Sequence, residues 1–311
     1  MTRFAKFAWF TLAYNILVII WGVFLRASKS GDGCGQHWLT CQGEVIPSAP
    51  QLKTIIEFSH RMTTGPAFIF VLVLLVWAFV RFGKGSPVSK AAAVSFLFII
   101  TEVLIGAVLV LTGNTAEAQT SERPFLAIGH LINSSMLIGS LAMTAWFAGG
   151  DRRLKFDGKT RLIALLGVGV LVLLLSGISG SVAALSSMLF PSETLVEGVA
   201  KDFEASSNIL LRLRVSHPLL AIFTSVYLIF LSGWIRKASD QDPIVSRWSN
   251  ILSVLVLCQL AFGAATFLML GPIVMQVGHL LLADLLWISF VLLSANYLGA
   301  DESSVQANLS E

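Results

Sequence analysis

The chain has 311 residues, of which 55% are hydrophobic and only 13% charged, with a mean hydropathy of +0.79. A soluble domain carries about a quarter of its residues charged, so half that share, with apolar runs of membrane-crossing length, excludes an ordinary water-soluble fold. The net charge of +3 is too small, and its basic residues too dispersed between apolar runs, for a nucleic-acid surface.

The first apolar run covers 7–26 and is preceded by Arg3 and Lys6. It is longer than the apolar core of a secretory signal and no clear small-residue cleavage site follows, so it reads as a retained helix. A polar loop from about 27 to 53 carries two of the three cysteines, Cys34 and Cys41; the third, Cys258, sits inside an apolar run. Further runs at 54–80, 91–111, 124–148, 161–184, 208–234, 249–270 and 273–298 bring the total to eight. Each is near or above the ~20 residues that cross a bilayer. Helix is the expected structure, because a backbone amide in lipid must be satisfied within its own segment. Between the fifth and sixth runs, Pro191-Ser192-Glu193 precedes Leu195, Val196, Val199 and Phe203 at helical spacing. That pattern predicts a short amphipathic helix on the outer surface. The tail after about 299 is polar and reads as disordered.

Placing the N-terminus inside puts 13 of the 21 Lys and Arg residues on the cytoplasmic side, including Arg81, Lys84, Lys90, Arg236, Lys237, Arg247 and a cluster from Arg152 to Arg161. The bias sets both termini in the cytoplasm and makes the outer connections the longer ones.

Two halves of the chain repeat. Glu57-Phe58-Ser59-His60-Arg61 in the second run resembles Arg214-Val215-Ser216-His217-Pro218 in the sixth. Gly129-His130-Leu131 in the fourth recurs as Gly278-His279-Leu280 in the eighth. Glu102 stands four residues before Gly106-Ala107, as Gln259 does before Gly263-Ala264. Three matches in one order mean duplication, and an even number of helices per half makes the repeats parallel. The expected fold is therefore an all-α integral membrane protein of eight transmembrane helices in two pseudo-symmetric four-helix bundles. The first is 1–150 and the second 151–311, with a basic loop between them.

Four of five histidines lie inside apolar runs: His60, His130, His217 and His279. All four sit on helices that run from outside to inside, ~9–14 Å below the outer end at 1.5 Å per residue. One intramembrane histidine is explained by an interhelical hydrogen bond; four at one depth on repeat-related helices call for a shared purpose. Zinc or copper would want three or four converging ligands, whereas two imidazoles per bundle suit a heme held between facing helices. The heme propionates need donors at the outer rim, for which Arg61, Arg212, Arg214 and Arg26 are candidates. Glu57 lies on the same helical face as His60, and the second half has Arg214 in that place. That asymmetry suggests chemistry at one site and electron transfer at the other. Glu102 reads as structural, since its counterpart is a neutral glutamine. Pro218 should bend the sixth run near His217.

At these residues the chain resembles the bacterial heme A synthases. The resemblance rests on Glu57-x-x-His60-Arg61, the three further histidines and the loop Gly31-Asp32-Gly33-Cys34-Gly35-Gln36-His37-Trp38 through Cys41-Gln42-Gly43 and Pro47, and it covers about 7–298. It implies oxidation of a ring methyl of heme o to a formyl group through hydroxylated intermediates, for oxidases of the aa3 type. By position, His60 and His130 would bracket the substrate heme o, His217 and His279 would ligate a retained heme b, and Glu57 would be the catalytic carboxylate. Cys34 and Cys41 face the oxidising side, where a disulfide persists; it would close a loop over the substrate or exchange with an external thiol carrier. Residues 185–207 hold no cysteine, which rules out the second pair that some relatives carry there. The implied setting is the cytoplasmic (inner) membrane. Implied partners are heme o synthase, an electron donor that the sequence does not identify, and lipid; homo-oligomers are allowed. Two other classes compete: a quinol-linked diheme b-type electron carrier, and a heme transporter or chaperone.

Overall fold

The computed structural model describes residues 1–150 and 153–299. Among them are ten helices: α1 (Arg3–Ala27), α2 (Leu52–Phe82), α3 (Pro87–Leu111), α4 (Arg123–Phe147), α5 (Thr160–Leu189), α6 (Leu195–Phe203), α7 (Ile209–Arg214), α8 (Ser216–Ala238), α9 (Pro243–Leu268) and α10 (Ile273–Gly299). Eight spans are long and apolar enough to cross a membrane, with α7 and α8 together forming one of them (Ile209–Ala238). This is a multi-pass helical membrane protein. The expected tail after 299 and the basic residue Arg152 lie outside the described residues.

The helices begin where capping chemistry allows. Ser86 caps α3 through the Ser89 amide (3.1 Å) and Asp242 caps α9 through the Ile244 and Val245 amides (both 2.9 Å), each followed by a proline in the first turn. Both arrangements satisfy amides that a helix start leaves orphaned. They also explain why these helices start four to six residues before the apolar runs: the caps are polar and sit outside the apolar stretch.

Pro218 interrupts the sixth span. Lacking an N–H, it cannot bond to the carbonyl of Arg214, four residues earlier, and its ring crowds that carbonyl. The helical register breaks at Val215, between α7 and α8, and the Ser216 hydroxyl donates to the Leu213 carbonyl at 2.6 Å. Pro66 sits inside α2 without ending it.

The short helix α6 forms where expected. Thr194 Oγ1 accepts from the Glu197 amide (3.2 Å) while Glu197 Oε2 accepts from the Glu193 amide (2.9 Å), a local variant of the capping box. Its inner face, Gly198 and Asp202, is buried, and its apolar edge of Val196, Val199 and Phe203 is exposed.

α1 packs on α2 and α4, and α3 on α2 and α4; α8 packs on α5 and α9, and α9 on α10. The two sets meet along α4 with α10, α4 with α5 and α1 with α10. At that seam Trp287 Nε1 donates to the Ser135 carbonyl (2.7 Å) and Trp146 Nε1 to Asn296 Oδ1 (3.0 Å). Buried apolar side chains concentrate toward one end. On α4 and α10 they begin seven residues past the histidine, at Leu137 and Leu286, and on α8 at Leu228; on α2, Ile56 is buried before His60 and the next is Ala67. All four histidines are only half-buried.

Candidate functional site

The second, fourth, sixth and eighth spans place polar side chains at the less filled end of the bundle. His217 on α8 and His279 on α10 stand with ring centroids 6.3 Å apart and planes at 78°. Two rings on opposite sides of one ion, at metal–nitrogen bonds of about 2.0–2.1 Å, stand roughly 6 Å apart, and the centroid separation of this pair matches that spacing. The Nδ1 of His217 is 3.1 Å from the Ser179 hydroxyl of α5. That contact occupies one nitrogen and leaves Nε2 for a ligand, as outer partners of metal-binding histidines do. His279 Nε2 is 3.4 Å from the Gln259 amide nitrogen, and its Nδ1 is buried without a hydrogen bond among the described residues.

Glycines make room for three of the four rings. A Cβ on Gly22 would approach His60 to 3.1 Å, one on Gly180 would approach His217 to 2.9 Å, and one on Gly263 would approach His279 to 2.8 Å. Only the missing side chain lets each imidazole lie against the neighbouring helix. Sequence reasoning missed Gly22, Gly180 and Ser179; the signal available was their position one span before a histidine. Gly106, the counterpart of Gly263, has nothing within 4 Å.

His130 on α4 meets a carboxylate instead. Its Nδ1 lies 3.2 Å from Glu102 Oε1 of α3, close enough for an ion pair though off the direction of a hydrogen bond. His60 lies within electrostatic range of His130 and Glu102, and its own Nδ1 is buried without a hydrogen bond. Buried ring nitrogens without a hydrogen bond cost free energy unless something else engages them, so the buried Nδ1 atoms of His60 and His279 are places where a further partner would be favoured. Among the described residues no group of three or more His, Cys, Asp and Glu side chains converges as a metal-ion site.

Glu57 is 2% exposed. Its Oε2 accepts from the Cys34 amide at 2.8 Å, and its Oε1 accepts a short bond from Arg61 Nη2. Arg61 Nη1 donates to the carbonyls of His37, Trp38 (3.2 Å) and Thr40 (2.9 Å). Cys34 and Cys41 form a disulfide. Gly33 packs so closely on Lys53 that a Cβ would lie 2.4 Å from its backbone, and Thr54 Oγ1 donates to the Gly33 carbonyl (2.9 Å). The disulfide loop is thus clasped onto the start of α2 by Glu57 and Arg61.

The four expected anion-binding arginines divide into two kinds. Arg61 spends its Nη donors on the loop and Glu57; Arg214 spends its donors on Asp202 (2.9 Å from Nε), Gly198 O (2.9 Å) and Ser187 (3.3 Å). Both therefore brace outer connections. Arg26 and Arg212 have no hydrogen bond or ion pair among the described residues. Arg26 is half-buried and within electrostatic range of Arg123, whose own donors go to the carbonyls of Ala118 (2.5 Å) and Ala116. Arg123, buried and missed in the sequence, adds positive charge to the rim of the first half.

The chain has relatives among known proteins. Over 297 residues, 96% of the chain, it is 41% identical to proteins named protoheme IX farnesyltransferase from two strains of Thermus thermophilus. The chain spans about half (49%) of the length of those relatives. It is 28% identical over 286 residues to the heme A synthase of Halalkalibacterium halodurans, covering 88% of this chain and 89% of that one. A family model described as "Cytochrome oxidase assembly protein" (COX15-CtaA) matches residues 5–291. The chain belongs to that COX15-CtaA family of cytochrome oxidase assembly proteins.

Proposed function

We propose that this protein is a heme A synthase: it oxidises the ring methyl of heme o to a formyl group through hydroxylated intermediates. The observation that carries the reading is the pairing of four half-buried imidazoles at one end of the bundle, two of them 6.3 Å apart, in a chain of this family. The chain divides near residue 150 into two parallel, pseudo-symmetric halves, with both termini on the cytoplasmic side of the inner membrane and the histidines near its outer face.

His217 and His279 hold a resident heme b, which supplies electron transfer when bound; Ser179 orients the first ring and Gly180 and Gly263 seat both. His60 and His130 bracket the substrate heme o. Arg26 and Arg212 meet the propionates, one in each half, while Arg61 and Arg214 keep the rims in shape. Glu57 is the catalytic carboxylate, holding or releasing a proton near the substrate while Arg61 and the Cys34 amide fix its position. The Cys34–Cys41 loop shields the substrate from the aqueous side. Heme o is supplied by a farnesylating enzyme. The names of the Thermus relatives, twice the length of this chain, support that pairing of activities.

The test is mass analysis of hemes extracted after expression with a heme o source. Heme a or its hydroxylated precursor is expected, and Glu57→Ala should retain bound heme while losing the product. An active, heme-loaded preparation that leaves heme o unchanged would instead indicate a diheme electron carrier or a heme transporter. Conversion of protoheme to a farnesylated heme would transfer the activity named in the Thermus proteins to this chain.

A further inference from the structure

Glu102 is the one charged side chain that touches a candidate iron ligand among the described residues, and the reaction proposed above gives it no task. Its carboxylate is held from several sides. Asn133 Nδ2 donates to Oε2 at 2.6 Å, Ser134 Oγ donates a short bond to Oε1, and His130 Nδ1 lies 3.2 Å from Oε1. Asn133 is itself fixed, accepting from Thr101 Oγ1 (2.5 Å) and donating to the Phe98 carbonyl (2.9 Å). An ionised carboxylate only accepts, and an amide and a hydroxyl aimed at its two oxygens are the partners it needs away from water. Side chains from both α3 and α4 are thereby committed to keeping one carboxylate beside one imidazole.

The other half lacks the charge. At the corresponding place Gln259 meets His279, through its amide nitrogen and on Nε2. A carboxylate beside the outer nitrogen of a metal-bound imidazole makes the ligand more electron-rich through its charge. An electron-rich axial ligand stabilises the oxidised iron over the reduced. We infer that Glu102 is a positioning residue that acts through His130 to make a heme in the first half harder to reduce than the heme in the second, where Gln259 provides no charge. The inference rests on the reading that His60 and His130 bracket a heme. It assigns the charged second partner to the half where the methyl group is oxidised and the neutral one to the half that relays electrons.

The experiment is a redox titration followed by absorbance on the full-length protein in detergent, loaded with heme, for the parent and for Glu102→Gln, Glu102→Asp and Gln259→Glu. Glu102→Gln should shift one of two midpoints toward easier reduction by tenfold or more in the equilibrium, about 59 mV for one electron; the second midpoint should stay. Glu102→Asp keeps the charge and should restore most of the parent value. Gln259→Glu should shift the other midpoint the opposite way, and it carries the test by itself if Glu102→Gln does not fold. Full heme loading with both midpoints unmoved in Glu102→Gln, or an unmoved second midpoint in Gln259→Glu, overturns the inference and leaves the synthase reading intact. Loss of His60 and His130 together with no change in the heme spectrum would show that the first half ligates no heme, and both would fall.

Discussion

At Gly263 an added methyl group would lie 2.8 Å from the His279 ring, and at Gly180 it would lie 2.9 Å from that of His217, yet at Gly106 it would meet nothing. Overpacking of this kind costs about 1–3 kcal/mol when the neighbour cannot move aside. If the second half holds a heme as proposed, Gly180→Ala and Gly263→Ala should therefore weaken its retention, read as loss of absorbance at fixed protein concentration, while Gly106→Ala should leave it unchanged. A full heme complement in both ring-facing variants would show that the imidazoles need no such space. The histidines themselves were legible in the sequence, because an ionisable residue inside an apolar run demands an explanation. The glycines were not: glycine is common in membrane helices, and its meaning depends on which ring the tertiary fold brings against it. The arginines show the same limit. Their rim positions follow from the sequence, but the commitment of Arg61 to the carbonyls of His37, Trp38 and Thr40, and of Arg214 to Asp202, depends on the path of distant loops.

Among the elements, the eight spans were readable to within a few residues, since lipid leaves a helix no alternative, and the break at Val215 follows from Pro218. The outer loops were readable in composition but not in course. The clasp on the first of them makes a prediction. Arg61→Ala leaves the buried Glu57 with one donor, the Cys34 amide. Removing one partner of a buried pair costs about 3–5 kcal/mol, and solvent at the half-buried Arg61 places this case at or below the lower end. The expected result is a lower midpoint of thermal unfolding in detergent and faster proteolysis within 35–50; an unchanged cleavage pattern would mean the disulfide alone holds the loop. A second tie, Lys29 Nζ to Glu117 Oε1 (2.5 Å), joins the first two outer connections. Its hydrogen bond and charge hold the Glu117 carboxyl below the ordinary carboxylate range. A depressed value in the folded state means the tie is fully present above the ordinary range and is lost as the pH falls through the lowered one. Amide protection at residues 28–33 and 113–118, taken relative to intrinsic exchange at each pH, should therefore hold at neutral and mildly acidic pH and fall only in stronger acid. Glu117→Gln should show slightly reduced protection there at every pH, as suits an exposed pair.

For the whole molecule, the seam between α4 and α10 holds the two sets of helices together. Trp287 fills it, packing against Gly139 and donating to the Ser135 carbonyl. Replacing a buried tryptophan by alanine costs about 3–5 kcal/mol, so Trp287→Ala should lower thermal stability clearly. Trp234→Ala, at a position 38% exposed, should change it little. Equal effects would place the weakest joint elsewhere. Nothing in the sequence identified Trp287, because the register of α4 against α10 is not written in either helix alone.

The uneven filling of the bundle has a thermodynamic side. Leu137, Leu228 and Leu286 mark where the close-packed floor begins on α4, α8 and α10, and around the histidines the walls are held largely by polar ties between helices and by loop clasps. A wide, flat guest entering from the surrounding oil would part only those stitches. Swapping one pigment for the next would then cost a local loosening, and the foundation of the scaffold would stay frozen throughout.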